Sequence, residues 1–426
     1  MVSAARSIVQ TGVYQYSRPP GFPVYEYLMA FTPAKTSPLI SNGLTAISSC
    51  VAFLFFMLIL RHFNIKQYLL LACAFAFTPV IYVNSVCSMD YILALTFVLG
   101  STWLVLIRRF YLAGIFLGLA IGCRITSGAM LLPLAVWVYI DEENISFQKK
   151  TILILILSAL LTGCICFLPV IFHYGSGFFT FADYTAYPSL FTLVNTGILN
   201  VWGRPAALGL LGLCFLVPFV YPVIKATLLQ STARRGVVLS CVVILIYVVS
   251  FLRLPQESAY LIPVVPFFLL LVGLLFPKRH VRWFSVIIIL SSFVTIGRVG
   301  LPQYGPIITD HFARELQVNE TKEIINFVDH LQENAVMVTG WKSSIIYEAI
   351  GRNYQFDTAE VSIRSINNLF THKYIFLIGS VAQFRQYREQ GYSIWFIDQM
   401  DAYNAKFNHI DIRELGAKSL SDSIRK

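Results

Sequence analysis

Long apolar runs separated by short polar breaks fill the first three hundred residues. Runs near 38–60, 67–86, 90–107, 151–173, 205–224, 236–252, 259–277 and 283–297 each approach the roughly 20 apolar residues needed to cross a bilayer. The stretch 111–140 reads as two pieces, 111–123 and 126–140, broken at Arg124. Each is too short to cross about 30 Å upright. A helical hairpin accounts for both, and Gly114, Gly118 and Gly122, spaced four apart, suit close helix packing. Beyond residue 300 the pattern changes. Helix-period stretches at 317–333, 341–350, 359–370 and 380–390 alternate with strand-like runs Ala335–Thr339, Tyr374–Gly379 and Tyr392–Ile397. That alternation predicts a small α/β domain with a mainly parallel sheet. No glycine-rich phosphate loop follows any of these strands.

The predicted fold is a polytopic α-helical membrane protein with about ten membrane helices, one pair forming a short hairpin, and a C-terminal extracytoplasmic α/β domain. Its parts are an extracytoplasmic N-terminal segment, 1–37, a transmembrane domain, 38–297, and a soluble domain, 298–426.

Composition supports that class. Only 13% of the residues are charged, about half the proportion in soluble domains. The net charge of +10 is unevenly placed: residues 1–300 carry 19 Lys and Arg against 7 acids, and the remainder 13 against 15. The positive charge therefore sits in membrane loops, and no nucleic-acid partner is expected. Arg61, Lys66, Arg108, Arg109, Lys149, Lys150, Lys225, Arg234, Arg235, Lys278, Arg279 and Arg282 fall on one set of connections. The alternate set holds Arg124, Arg204 and Arg253. The richer set is cytoplasmic by the positive-inside rule, which places the chain in a cell membrane as a multi-pass protein, with the tail outside. Residues 1–37 are then also outside, and Met1–Pro20 has no apolar signal core, so this reading expects an upstream helix. The eight cysteines lie in the apolar part without a CxxC pair, so neither a zinc site nor a disulfide framework is expected.

Scarce acids narrow the search for chemistry. Asp141, Glu142 and Glu143 read as a solvated cytoplasmic cluster, whereas Glu26, Asp90, Asp183 and Glu257 all fall on the outer face. A carboxylate in apolar surroundings suits a base or metal ligand, although Asp90 also suits the start of a helix. The outer basic residues are Arg6, Arg18, Lys35, Arg124, Arg204, Arg253 and Arg298. Arginine forks match phosphate oxygens, so a lipid phosphate headgroup is the ligand they suggest, with snorkelling as the plainer alternative. Outer aromatics at 173–204, from His173 and Tyr174 to Trp202, suit an interface belt or a sugar-stacking surface.

Four ordered segments carry a family resemblance: Gly12–Tyr25 (GVYQYSRPPGFPVY), Ser88–Tyr91, Ala113–Arg124 (AGIFLGLAIGCR) and Arg253–Pro266 (RLPQESAYLIPVVP). Together they resemble the GT-C membrane glycosyltransferases, which include protein O-mannosyltransferases and lipid A aminoarabinose transferases. The resemblance implies transfer of a sugar from a polyprenyl-phosphate carrier to a glycan, lipid or protein acceptor at the outer membrane face. It makes Asp90 the second acidic position, with Arg124, Arg253 and Glu257 as candidates for the carrier's phosphate site. The full candidate set is Asp90 and Glu257 for catalysis, and Arg18, Tyr16, Arg124, Asp183, Arg204 and Arg253 for substrate binding. The family's first, catalytic acid precedes the segment matching Met1–Gln10, so the resemblance places it upstream. The residues specify no cofactor, and a divalent metal is left open. The alternatives are a transporter or flippase for lipid-linked sugars, a polysaccharide polymerase, and a non-catalytic membrane protein if the chain truly starts at Met1. No internal repeat of the kind transporters carry is visible.

Overall fold

A computed structural model of the chain describes residues 2–35, 37–142, 144–175, 187–255, 257–297, 301–330, 335–339, 374–376, 393–397 and 412–414. It divides into two compact units, Met1–Asp310 and His311–Lys426. The division falls past the boundary expected at residue 298.

The first unit is helical. Two short helices, α1 (Val2–Thr11) and α2 (Pro23–Ala30), occupy the stretch expected to be a loop segment. α3 (Pro38–His62) follows, and then α4 (Tyr68–Ala76) and α5 (Pro79–Ser85), which bend by 62° where one straight span was expected. Pro79 opens α5 and cannot continue the hydrogen-bond ladder of α4. Next come α6 (Asp90–Leu106), α7 (Phe110–Cys123), α8 (Leu131–Asp141) and α9 (Ile145–Tyr174). Short helices α10 (Leu190–Val194) and α11 (Asn200–Trp202) lead to α12 (Arg204–Leu228), α13 (Ser231–Arg253), α14 (Val264–Leu275) and α15 (Lys278–Phe293). The run expected to be helical over 283–297 ends at Phe293. Val294–Ile296 forms strand β1, paired antiparallel with β2 (Pro302–Tyr304), as suits its β-branched residues.

Among the described residues, four helices are long and apolar enough to cross a membrane: α3, α9, α12 and α13. α6, α7 and α14 are apolar but shorter. At 1.5 Å per residue, the 17 residues of α6 extend about 25 Å. The chain is a helical membrane protein.

Side-chain contacts fix the helix directions. Ser88, before α6, donates to Ser41 Oγ at 2.6 Å and Asn42 Oδ1 at 2.7 Å near the start of α3. At the far ends, the rings of His62 and Trp103 lie 6.3 Å apart. α3 and α6 therefore run the same way. α7 returns, bringing Arg124 to Asp90, and α8 goes back, bringing Asp141 to Arg108. The 3-10 turn Ile125–Met130 joins these two arms. The glycine stripe of α7 lies on α9. A Cβ at Gly114 would stand 2.7 Å from Leu155 O, and one at Gly118 would stand 2.8 Å from Ala159 O. Only glycine permits backbones this close.

The end of the bundle opposite Asp90 holds a correction. Asp141 and Glu142 are not a solvated loop. Arg108 reaches Asp141 at 3.1 Å and Glu142 at 3.4 Å, and Arg235, at the start of α13, also pairs with Asp141. Glu143 lies outside the described residues.

The second unit contains most of α16 (Pro306–His330), which replaces the helix expected at 317–333. Its sheet has the order β4 (Tyr374–Phe376), β3 (Ala335–Thr339), β5 (Ser393–Ile397), β6 (Ile412–Glu414). β3 is parallel to β4 and β5, and β6 is antiparallel to β5. β3 occupies the same residues as its sequence-based expectation, and β6 was not anticipated. The helices expected at 341–350, 359–370 and 380–390 lie outside the described residues.

Candidate functional site

Four charged residues far apart in sequence meet where α6 begins and α7 ends. Asp90 opens α6, where the helix dipole favours an acid. It is fully buried, and its Oδ2 accepts a hydrogen bond from Arg124 Nη1 at 2.7 Å. Arg124 occupies the break after α7: its backbone turns extended, at φ −152° and ψ 116°, while its amide still donates to Ala120 O at 2.8 Å. The break lets the side chain leave the α7 axis. The guanidinium then stacks 3.9 Å from the centroid of the Tyr91 ring, with Tyr260 at 5.6 Å and Phe22 at 5.7 Å. Arg124 is thus held by one charge and three aromatic faces, and its side chain is only 15% exposed.

Arg18 and Glu257 form the outer part. Arg18, from the segment between α1 and α2, places Nη2 3.6 Å from Asp90 Oδ1 and Nη1 3.9 Å from Glu257 Oε1. Phe22 lies 5.2 Å from its guanidinium. Glu257 comes from the connection after α13 and accepts a hydrogen bond from the Tyr91 hydroxyl. The side chains of Arg18 and Glu257 are 38% and 43% exposed. Burial works against the charge on Arg18, but Tyr91, Asp90 and Glu257 more than offset it and hold its pKa above the ordinary value.

The two arginines are therefore unlike. Arg124 is spent on a short contact to a buried carboxylate, the geometry in which an ion pair holds itself together. Arg18 sits beyond hydrogen-bond length from both acids and has five N–H donors to offer an incoming anion. Asp90 Oδ1 is buried without a hydrogen bond. The hydroxyl of Tyr247, on α13, is a second buried oxygen without one.

The other sequence candidates stand elsewhere. Tyr16 packs its ring against Tyr174 at 4.2 Å. Arg204 donates to Ile296 O at 2.6 Å. Arg253 is exposed in the last turn of α13. Among the described residues, no contact joins these three to Asp90. Asp183 lies outside the described residues, as does Arg298. Trp202, expected in an interface belt, is buried against Phe268 at 5.1 Å between centroids. Tyr91, Tyr260 and Phe22 were not anticipated. The adjacency of Tyr91 to Asp90, and of Tyr260 to Glu257, is the signal that points to them. Among the described residues, no group of three His, Cys, Asp or Glu side chains converges as a metal site would.

No family model, no curated protein and no solved structure matches this chain.

Proposed function

We propose that this protein is a multi-pass glycosyltransferase of the GT-C kind, moving a sugar from a polyprenyl-phosphate carrier to an acceptor hydroxyl at the extracytoplasmic face. In this reading the shorter apolar helices complete a membrane domain of about ten helices. The basic ends of α3, α6 and α13 face the cytoplasm, and the C-terminal unit is an extracytoplasmic α/β domain. A bacterial inner membrane suits a polyprenyl carrier.

The observation that carries the reading is the pair Arg18–Glu257, half exposed above a buried Asp90–Arg124 pair, at the bundle end opposite the basic loops. An arginine beside a carboxylate supplies what the transfer needs. Arg18 holds the donor phosphate and stabilises its growing charge as it leaves. Glu257 takes the acceptor's proton while the acceptor oxygen bonds to the anomeric carbon, and the bond from that carbon to the phosphate oxygen breaks towards the phosphate. Asp90, already engaged by two guanidiniums, orients them instead of acting as the base. Phe22 and Tyr260 supply apolar walls beside the charges.

The test is transfer by the purified full-length protein, using radiolabelled polyprenyl-phosphate sugars and membrane acceptors. Label should move to an acceptor, and Glu257→Gln should stop it without altering the fold. Wild-type protein that moves no label from any such donor contradicts the proposal.

A further inference from the structure

Among the described residues, Glu26 is the outer acid to which the reaction scheme gives no role. It sits in the first turn of α2 and is fully buried. A carboxylate in that position costs several kcal/mol unless its oxygens are satisfied. Oε1 accepts from Ser17 N and from Ser17 Oγ, both at 2.7 Å. Oε2 accepts from Phe22 N at 3.0 Å and from the Tyr14 hydroxyl. All of these donors belong to one short stretch, 14–22, so the chain there is wrapped around the carboxylate.

Arg18 lies inside that wrap. Its backbone is held on one side by the Ser17 amide, which donates to Glu26, and on the other by its own carbonyl, which accepts from Gly21 N at 2.8 Å. Gly21 turns the chain at φ +92°, where a side chain is strained. A Cβ there would also stand 2.7 Å from the Tyr14 hydroxyl oxygen. By contrast, the Arg18 guanidinium meets its acids through two long contacts, at 3.6 and 3.9 Å, and otherwise lies over the Phe22 ring. Contacts that loose do not fix an arginine by themselves. Where its backbone is anchored decides where the guanidinium reaches.

We infer that Glu26 is a positioning residue for Arg18: its carboxylate, ligated by Tyr14, Ser17 and Phe22, sets the stretch 14–22 so that the guanidinium spans Asp90 and Glu257. The functional consequence rests on the reading of Arg18 as the phosphate ligand, but the placement itself does not. Glutamine cannot substitute. Its amide nitrogen carries hydrogens and no acceptor lone pair, so at least one backbone N–H or hydroxyl of the wrap would face another donor.

The test needs no substrate. The full-length protein and its Glu26→Gln and Tyr14→Phe variants are treated with phenylglyoxal, and modification of each arginine is followed by peptide mass spectrometry. In Glu26→Gln the Arg18 rate should rise about fivefold or more, as loss of a hydrogen bond to a buried charge implies. Arg124, Arg204 and Arg108 should keep their wild-type rates. Tyr14→Phe should move Arg18 the same way by less. A folded variant with Arg18 at the wild-type rate overturns the inference. So does a parallel rise at every arginine, which marks general loosening. If Glu26→Gln does not fold, the Tyr14→Phe comparison decides alone. Failure of sugar transfer by the wild type would remove the proposed function and leave this readout standing. An unmoved Arg18 would remove the positioning role and leave the transferase reading standing.

Discussion

The buried pair Asp90–Arg124 makes a prediction that can be worked from its geometry. Arg124→Met keeps much of the side-chain bulk and removes the charge, leaving Asp90 fully buried with Arg18 at 3.6 Å as its remaining cation. Breaking a buried ion pair from one side costs about 3–5 kcal/mol. The lost stacking on Tyr91, at 3.9 Å, acts in the same direction. Asp90→Asn is milder, because its amide oxygen can still accept from Arg124, and should cost about 1–3 kcal/mol. The double variant removes both charges, and replacing a whole buried pair is often close to neutral. The sum of the two single losses should therefore exceed the double loss by at least about 1 kcal/mol. Thermal unfolding of purified protein in one detergent, followed by tryptophan fluorescence, supplies the comparison. Arg124→Met should lower the midpoint by on the order of 10 °C, and the double variant should recover part of it. Losses that simply add would show that the two residues act independently, and the account of Asp90 as a partner for arginine would be wrong.

Three further predictions concern other parts of the molecule. Gly118→Ala should push α7 off α9 and cost about 1–3 kcal/mol, because its Cβ would meet Ala159 O at 2.8 Å. Gly43→Ala, with nothing within 4 Å of its Cβ, should leave the melting temperature unchanged. Burial, reinforced by the neighbouring Glu26 carboxylate, pushes the Tyr14 phenol far above its ordinary value. Its stabilising effect is therefore complete below about pH 10, the unfolded value, and above it is lost at up to about 1.4 kcal/mol per pH unit. Melting curves between pH 9 and 11 should fall less steeply for Tyr14→Phe than for wild type, and equal slopes would contradict the assignment. Finally, Arg235→Ala should release Asp141 from α13 and destabilise the bundle while leaving the Arg18 modification rate unchanged, since its ion pair lies at the opposite end.

What could be read from the sequence followed from patterns that are local. Apolar run length located α3, α9, α12 and α13, and the glycine spacing of α7 marked the face that meets α9. Asp90 and Arg124 stood out because charges are rare in apolar surroundings. What escaped depended on contacts between distant residues. The bend between α4 and α5 hides inside one continuous apolar run. α1 and α2 flank a Pro-Pro-Gly stretch that reads as loop. Asp141 belongs to a run of three acids that looks solvated, yet its partners Arg108 and Arg235 lie 33 and 94 positions away. Arg204 and Arg253 share the chemistry of Arg18 without sharing its place. Glu26 read only as one of four outer-face acids, since nothing in a linear reading shows that the chain closes around it.

The central claim is that Arg18 holds the phosphate of a polyprenyl carrier. It is tested most directly by equilibrium binding of polyprenyl phosphate to the full-length protein in nanodiscs, compared between wild type, Arg18→Ala and Arg204→Ala. Losing charge-assisted bonds worth about 1.5–3 kcal/mol should weaken binding by Arg18→Ala about 10- to 100-fold, with Arg204→Ala unchanged. Binding equally tight in wild type and Arg18→Ala would contradict the claim.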